Sequence, residues 1–292
     1  MTFSQRVVAA IVPQHGGGYR QGRTPPMLSR IRNLLGPAPS APQSAVPDGQ
    51  RVYAVGDIHG RADLFAALIE AIEADHRLRG GGESLVVLLG DLVDRGPDSA
   101  GVLRLAREWQ AARPLRALMG NHEEMFLDAF TKEDVLRQFL RHGGRETILS
   151  YPVDPKAYGE ATLPETQAIM RAVVPAEDLD FMQGMEEMIR VGDYLFVHAG
   201  IRPGVPLEQQ RAGDLRWIRE TFTTSTEDLG LTVVYGHTIY DQVELAPSRI
   251  GIDTGAYASG QLTALGLEGT ERWVIQTSID GDTITVSQRS LS

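Results

Sequence analysis

From Arg51 onward the chain alternates between two periods of apolar residues. A continuous apolar run, "RVYAV" (Arg51–Val55), gives way to "ADLFAALIEAIEADHRL" (Ala62–Leu78), where Leu64, Phe65, Leu68, Ile69 and Ile72 recur at helical spacing. "SLVVLL" (Ser84–Leu89) is a second apolar run. "SAGVLRLAREWQAA" (Ser99–Ala112) is a second helix with "PDS" as its start signal, and "PLRALM" (Pro114–Met119) is a third strand. Strand–helix–strand–helix–strand at this spacing predicts right-handed crossovers and a parallel core. Residues 124–190 read as a mainly helical insert, in which "HGGRETI" marks a helix end followed by a turn. The last third changes to short strands, "DYLFVHAG", "TVVYGHT", "RIGIDTG", "QLTALGLE", "RWVIQTS" and "TITVSQ", divided by Gly, Asp and Pro turns. The whole predicts an α/β fold of mixed sheets with helices packed outside.

Residues 1–46 read differently. "QHGGGYRQGRTPP" and "GPAPSAPQSAVPDG" are rich in Gly, Pro, Ser and Gln, a composition that buries too little apolar surface to offset ordering. They predict a flexible, basic arm, with "MLSRIRNLL" (Met27–Leu35) as a short helix or part of that arm and a basic docking or membrane-surface segment as the alternative. Arg6, Arg20, Arg23, Arg30 and Arg32 give the arm +5 and leave −15 on the rest, for a net charge of −10. That balance argues against a nucleic-acid partner or attachment to anionic membrane. No apolar run approaches the roughly 20 residues of a bilayer span, so a soluble cytoplasmic protein without stable membrane insertion is expected. The chain has no cysteine, which excludes disulfides, thiolate metal sites and thiol nucleophiles.

In parallel α/β layouts, ligands gather just past the carboxyl ends of strands. Asp57 and His59 of "GDIHG" follow the first apolar run. "GDLVDRGPDS" after the second supplies Asp91, Asp94 and Arg95, and "GNHEE" after the third supplies Asn121, His122 and Glu123. His198 follows "YLFV" and His237 follows "TVVYG". His15, His76 and His142 lie away from strand ends and read as surface or capping residues. Carboxylate, imidazole and amide oxygen without thiolate suit ions such as Mn²⁺, Fe²⁺ or Zn²⁺. Such a set can hold two ions if one carboxylate bridges, and two ions roughly 3.5–4 Å apart can share a hydroxide and grip the oxygens of a displacement at phosphorus.

"GDIHG", "GDLVDRG", "GNHE", "HAG" and "GHT", in this order, resemble the PPP family of metal-dependent serine/threonine phosphoprotein phosphatases, in particular the bacterial branch that includes diadenosine tetraphosphatases. The resemblance covers roughly residues 51–270. It implies a calcineurin-like metallophosphoesterase fold over residues 47–292, with mixed β-sheets packed as a sandwich. It also implies a two-metal centre, probed best with Mn²⁺ and with Fe or Zn as alternatives. Asp57 and His59 would bind the first ion, Asp91 would bridge, and Asn121, His198 and His237 would complete the second. His122 would be the general acid, oriented by Asp94, and Arg95 would grip phosphoryl oxygens with help from Asn121. "LRWIRE" resembles a "W-x-R" of bacterial members and points to Arg219 as a second phosphate-binding arginine, with Arg216 as competitor. Asp253 reads as a turn residue, and Tyr257 as a residue at the cleft mouth.

The resemblance implies removal of phosphate from phosphoserine and phosphothreonine in proteins or peptides, by direct attack of a hydroxide that bridges the two ions. Hydrolysis of dinucleoside polyphosphates is the alternative. Symmetrical tetraphosphatases tend to replace the Asp of "VDRG" with a small residue and to read "GNHD", whereas this chain has Asp94 and Glu123. A catalytically dead scaffold would have lost a bridging or acid residue, and none is lost. A nucleic-acid phosphodiesterase would want a basic, aromatic-rich face, which the acidic body lacks.

Overall fold

The computed structural model describes residues 43–291. Strands β1 (Gln50–Val55), β2 (Glu83–Leu88) and β3 (Leu115–Ala117) pair in parallel, joined by helices α1 (Ala62–Leu78) and α2 (Ser99–Ala112), as the alternating pattern requires. Asp98 caps α2, its Oδ1 accepting the Gly101 N–H at 2.8 Å, which is the start signal read from "PDS". Strands β9 (Thr263–Glu268), β10 (Glu271–Asp280) and β11 (Thr283–Ser290) add antiparallel to the other side of β1, giving the order β11-β10-β9-β1-β2-β3. A second sheet has the order β4-β5-β6-β8-β7, from Met188–Val191, Tyr194–Val197, Thr232–Tyr235, Arg249–Gly251 and Glu244–Ala246 respectively.

The two sheets pack face to face, and the strand period assigns their side chains. Val52 and Ala54 of β1 and Val87 of β2 point inward against Tyr194, Phe196, Val234 and Ile250 of the second sheet. Tyr53, Val55, Val86 and Leu88 point to the opposite face, where Leu64, Phe65, Leu68 and Ile72 of α1 cover them. Each of those four α1 side chains is fully buried, worth about 1.5–3 kcal/mol apiece. On the outer face of the second sheet, Leu195, Val197, Val233 and Tyr235 pack on Leu215, Ile218 and Phe222. β1 and β2 are therefore buried on both faces, which is why they read as unbroken apolar runs.

Three expectations are adjusted. Helices run from Asn121 to Gln183, and residues 188–190, counted in the helical insert, belong instead to the edge strand Met188–Val191. The "HGG" segment does not end a helix. Leu140–Gly144 is a wide turn inside a continuing helical path that resumes at Arg145–Ser150. Gly143 adopts φ +105°, and a Cβ there would strike the backbone of Arg95, whose N–H donates to the Gly143 carbonyl at 3.1 Å. The glycine therefore lets a site loop approach the helix. Finally, residues 43–46, assigned to the arm on composition, are packed on the body. The Val46 side chain is buried, the Val46 N–H bonds the Gly269 carbonyl at 3.0 Å, and the Ala45 N–H bonds Asp193 at 3.0 Å. The rest of the arm, with its five arginines, lies outside the described residues.

Candidate metal centre

The loops after β1, β2, β3, β5 and β6 meet at one edge of the sandwich and bring Asp57, His59, Asp91, Asp94, Asn121, His122, His198 and His237 together, all buried. One ligand atom each of Asp91, His198 and His237 lies within 4.8 Å of the others, as does one each of His59, Asp91 and His122. Asp91 is common to both groups, whereas Asp57 falls in neither and His122, expected as the acid, falls in the first. Asp57 accepts the His237 N–H on both oxygens, at 3.0 and 3.2 Å. A Cβ at Gly236 would collide with Asp57 Oδ1, so the "GHT" loop can reach that carboxylate only with glycine in front of the histidine.

Backbone carbonyls fix the imidazoles. His59 Nδ1 bonds the Val93 carbonyl and His198 Nδ1 the Leu89 carbonyl, each at 2.8 Å. With the proton on Nδ1, each Nε2 lone pair faces the centre. His198 Nε2 lies 3.0 Å from Asn121 Oδ1, and His237 Nε2 is buried with no partner. Burial holds His59 down to about 3, and His198 and His237 are likewise held low, chiefly by burial, so all three are neutral ligands-in-waiting. Asp91 stays below the usual carboxylate range: burial opposes ionisation, but the histidines that face it, of which His122 is the one whose proton affinity is raised, outweigh it. Burial, then the charges of Asp253 and Asp91, push Asp57 well above that range. An orphaned imidazole nitrogen, inward lone pairs and crowded carboxylates fit divalent cations of the N/O-binding kind.

His122 is arranged for another task. Its Nδ1 is 2.6 Å from Asp94 Oδ2, and both groups are buried. Burial lowers the imidazole's proton affinity, but Asp91 and Asp94 outweigh it and hold His122 above the usual value. Arg95 spans the two histidines, with Nη1 donating to His59 Nε2 at 2.7 Å and Nη2 to His122 Nε2 at 2.9 Å. A proton on His122 Nε2 and this guanidinium contact are therefore alternatives. Tyr257, partly exposed, closes over the same place, with the Arg95 Cζ 4.9 Å from its ring centroid and the His59 ring at 5.4 Å.

The two candidate arginines separate cleanly. Arg216 is tied down by Glu187, with Nε–Oε2 at 3.1 Å, and by Glu124, with Nη1–Oε1 at 2.8 Å. Arg219 is exposed, makes no ion pair among the described residues, and reaches the His237 carbonyl at 3.4 Å.

Sequence reasoning missed the supports. Thr147, in the helix Arg145–Ser150, donates to Asp94 Oδ1 at 2.6 Å and accepts the Asp94 N–H at 2.8 Å. Glu123 accepts four N–H groups, from Asp91 (2.8 Å), Leu92 (2.7 Å), Val93 (3.2 Å) and Gly120 (3.1 Å), and so shapes the loop that carries Asp91 and Asp94. The chain marks Thr147 only by its position two residues past "GGR"; the burial of Glu123 beside an amphipathic helix start carries no signal of its own.

A two-sheet sandwich whose strand ends gather carboxylates and imidazoles around one shared aspartate is the architecture of a metallophosphoesterase. A family profile described as calcineurin-like phosphoesterase matches residues 50–249, and the chain belongs to that family, whose members use divalent metals. Serine/threonine-protein phosphatase 1 of Salmonella typhimurium is 29% identical over 221 residues, which span 73% of this chain and 90% of that protein. The symmetrical bis(5'-nucleosyl)-tetraphosphatase of Neisseria gonorrhoeae is 24% identical over an alignment of 294 residues, spanning 77% and 95%. A crystal structure provisionally named a diadenosine tetraphosphatase superposes with a TM-score of 0.54 at 21% identity, over 84% of this chain and 98% of that one, which supports the fold. No helix among the described residues is long and apolar enough to cross a membrane.

Proposed function

We propose that this metallophosphoesterase is a phosphomonoesterase that removes phosphate from phosphoserine and phosphothreonine in proteins. The observation that carries this reading is the buried His122–Asp94 pair at 2.6 Å, braced by Thr147. A serine or threonine alkoxide is a poor leaving group and needs a proton as the bond to phosphorus breaks. A nucleotide leaving from a polyphosphate is already a stable anion and needs none. A site that invests two buried charges and a helix in holding one imidazole proton suits the first reaction. Relatives of both names match the chain, so the discrimination falls on the site itself.

In this reading Asp57, His59 and Asp91 would hold one divalent ion, and Asp91, Asn121, His198 and His237 a second. Manganese is the ion proposed, from an N/O donor set without thiolate. Bound ions would supply Lewis-acid polarisation of the phosphoryl group and a water acidic enough to act as nucleophile at neutral pH. The chain's residues do the rest. Arg95 and Arg219 bind phosphoryl oxygens, Arg95 through its planar fork. A phosphoryl group that draws Arg95 from the imidazoles frees His122 Nε2 to carry the proton for the leaving oxygen. Asp94 holds that imidazole in the tautomer with Nδ1–H toward it and favours the charged form. Exposed Tyr257 walls the approach.

The test is kcat/KM for a phosphothreonine peptide and for diadenosine tetraphosphate, with chelator-stripped protein reloaded with Mn²⁺. A preference of at least tenfold for the peptide is expected. A preference of that size for the dinucleotide would overturn the substrate assignment and make the cleft a nucleotide site.

A further inference from the structure

The centre receives one more strand end than the sequence suggested. Two residues beyond β8 stands Asp253, buried at 2% exposure. Its Oδ1 accepts the Gly255 N–H at 2.8 Å and its carbonyl accepts the Tyr240 N–H at 3.0 Å, as a turn residue's would. The backbone that carries it lies against Gly56, where a Cβ would stand 2.6 Å from the Ile252 carbonyl oxygen and 3.5 Å from the Asp253 nitrogen, so the buried Asp253 sits beside Asp57, which feels its charge. The turn does not require that second placement. Asparagine or serine would bond the same N–H without adding a negative charge beside Asp57.

The surrounding charge makes the placement informative. Asp57, Asp91, Asp94, Glu123 and Asp253 are each at most 2% exposed. Arg95 is the guanidinium that contacts the cluster's imidazoles, while Arg219 only touches its rim. Burying like charges costs several kcal/mol per ion unless cations compensate. His237 Nε2, nine-tenths buried and without a partner, marks the centre as one that receives a ligand. We propose that Asp253 belongs to the metal-retaining set, its carboxylate beside Asp57 completing the negative charge that holds the ion bound by Asp57 and His59. It acts through Asp57 as a positioning residue and contributes no proton to the reaction. This inference rests on the two-metal reading of the centre.

Asp253→Asn is the informative variant, because its Oδ1 can still accept the Gly255 N–H. Mn²⁺ binding is measured by titration calorimetry on the stripped full-length chain, with the Tm of the stripped proteins as the check on folding. Wild type is expected to bind two ions. The variant should bind one of them at least about tenfold more weakly, the range that outer partners of metal ligands produce. Should the Asn variant melt low, Asp253→Ser, whose hydroxyl can take the same N–H, provides the same comparison. A two-ion isotherm with unchanged affinities would overturn the proposal and leave Asp253 a turn residue. A wild-type protein that binds no Mn²⁺ would instead overturn the reading of the centre.

Discussion

Asp94→Asn tests the leaving-group argument at its most exposed point. In the structure Asp94 Oδ1 is occupied by the Thr147 hydroxyl and Oδ2 by His122 Nδ1, both at 2.6 Å. If Thr147 keeps its acceptor, the variant presents an amide NH₂ to His122, and the imidazole must move its proton from Nδ1 to Nε2. There it meets Arg95 Nη2, at 2.9 Å, donor against donor. The change thus removes a charge and inverts a tautomer. Unit charges 2.6 Å apart attract by about 6 kcal/mol at an effective dielectric of 20. Desolvation consumes most of that, and charged hydrogen bonds retain about 1.5–3 kcal/mol. At 1.36 kcal/mol per tenfold, the lost charge alone removes roughly 10- to 150-fold in rate, and the wrong tautomer adds to this. We therefore expect kcat on a phosphothreonine peptide to fall at least about 10²-fold. With p-nitrophenyl phosphate, whose leaving group is a stable anion, the loss should be at least tenfold smaller. Both substrates are assayed at saturating Mn²⁺. Equal losses on the two would mean that Asp94 acts by holding the site together, and a loss within threefold on the peptide would remove His122 as the acid.

Two further outcomes are expected. Arg219→Ala should lower kcat/KM by roughly 10- to 150-fold, the value of a charged hydrogen bond to phosphate, whereas Arg216→Ala, freed from Glu124 and Glu187, should lower Tm and leave kcat/KM within threefold; the reverse ranking would exchange their roles. His76 lies far from the centre, its Nδ1 accepting from Arg51 Nη1 at 3.1 Å, and burial, then the charges of Arg113 and Arg51, hold it below the ordinary value of 6.5. Below that value the unfolded chain takes the proton first, so the stability from neutral His76 is full above pH 6.5 and is lost as pH falls through it. Wild type should lose more Tm than His76→Gln between about pH 7.5 and pH 5.5; parallel curves would refute the coupling.

The elements and the ligand-type residues were legible for one physical reason. In this fold both come from the same places, because a strand buried on both faces must be an apolar run and its end must turn at the site. What the sequence withheld are the lateral ties. Thr147 meets Asp94 across 53 positions and Glu123 meets Asp91 across 32. Neither contact follows from periodicity, since a helix pattern says which face is buried and not which loop it meets. The turn reading of Asp253 holds, but its place in the fold was hidden for a related reason. "GIDTG" looks like a turn and is one, and only the pairing of β6 with β8 brings that turn against Gly56, next to Asp57. Gly143 gave a helix-end signal because glycine at positive φ usually ends helices, whereas here the same conformation admits the Arg95 backbone.

The backbone shows how the side chains of the centre are aimed. Five non-glycine residues among those described have positive φ: His59, Asp91, Asp94, Arg95 and His237. All belong to the centre. Left-handed conformations cost on the order of 1 kcal/mol or more each and persist only where the surroundings over-determine them. Here the N–H of every one is claimed. That of His59 goes to the Asp91 carbonyl (2.9 Å), that of Asp91 to Glu123 (2.8 Å), and that of Asp94 to Thr147 (2.8 Å) and Ser99 (3.0 Å). Arg95 donates to Gly143 (3.1 Å) and His237 to Asp57 (3.0 Å). Strand ends alone would let these side chains fan out with the sheet's twist. Bending five of them into the left-handed region turns them toward a common point, and the buried acceptors keep them there. The strain and the ties form one device, so removing a tie such as Thr147 should loosen the ligands' aim before it unfolds the domain.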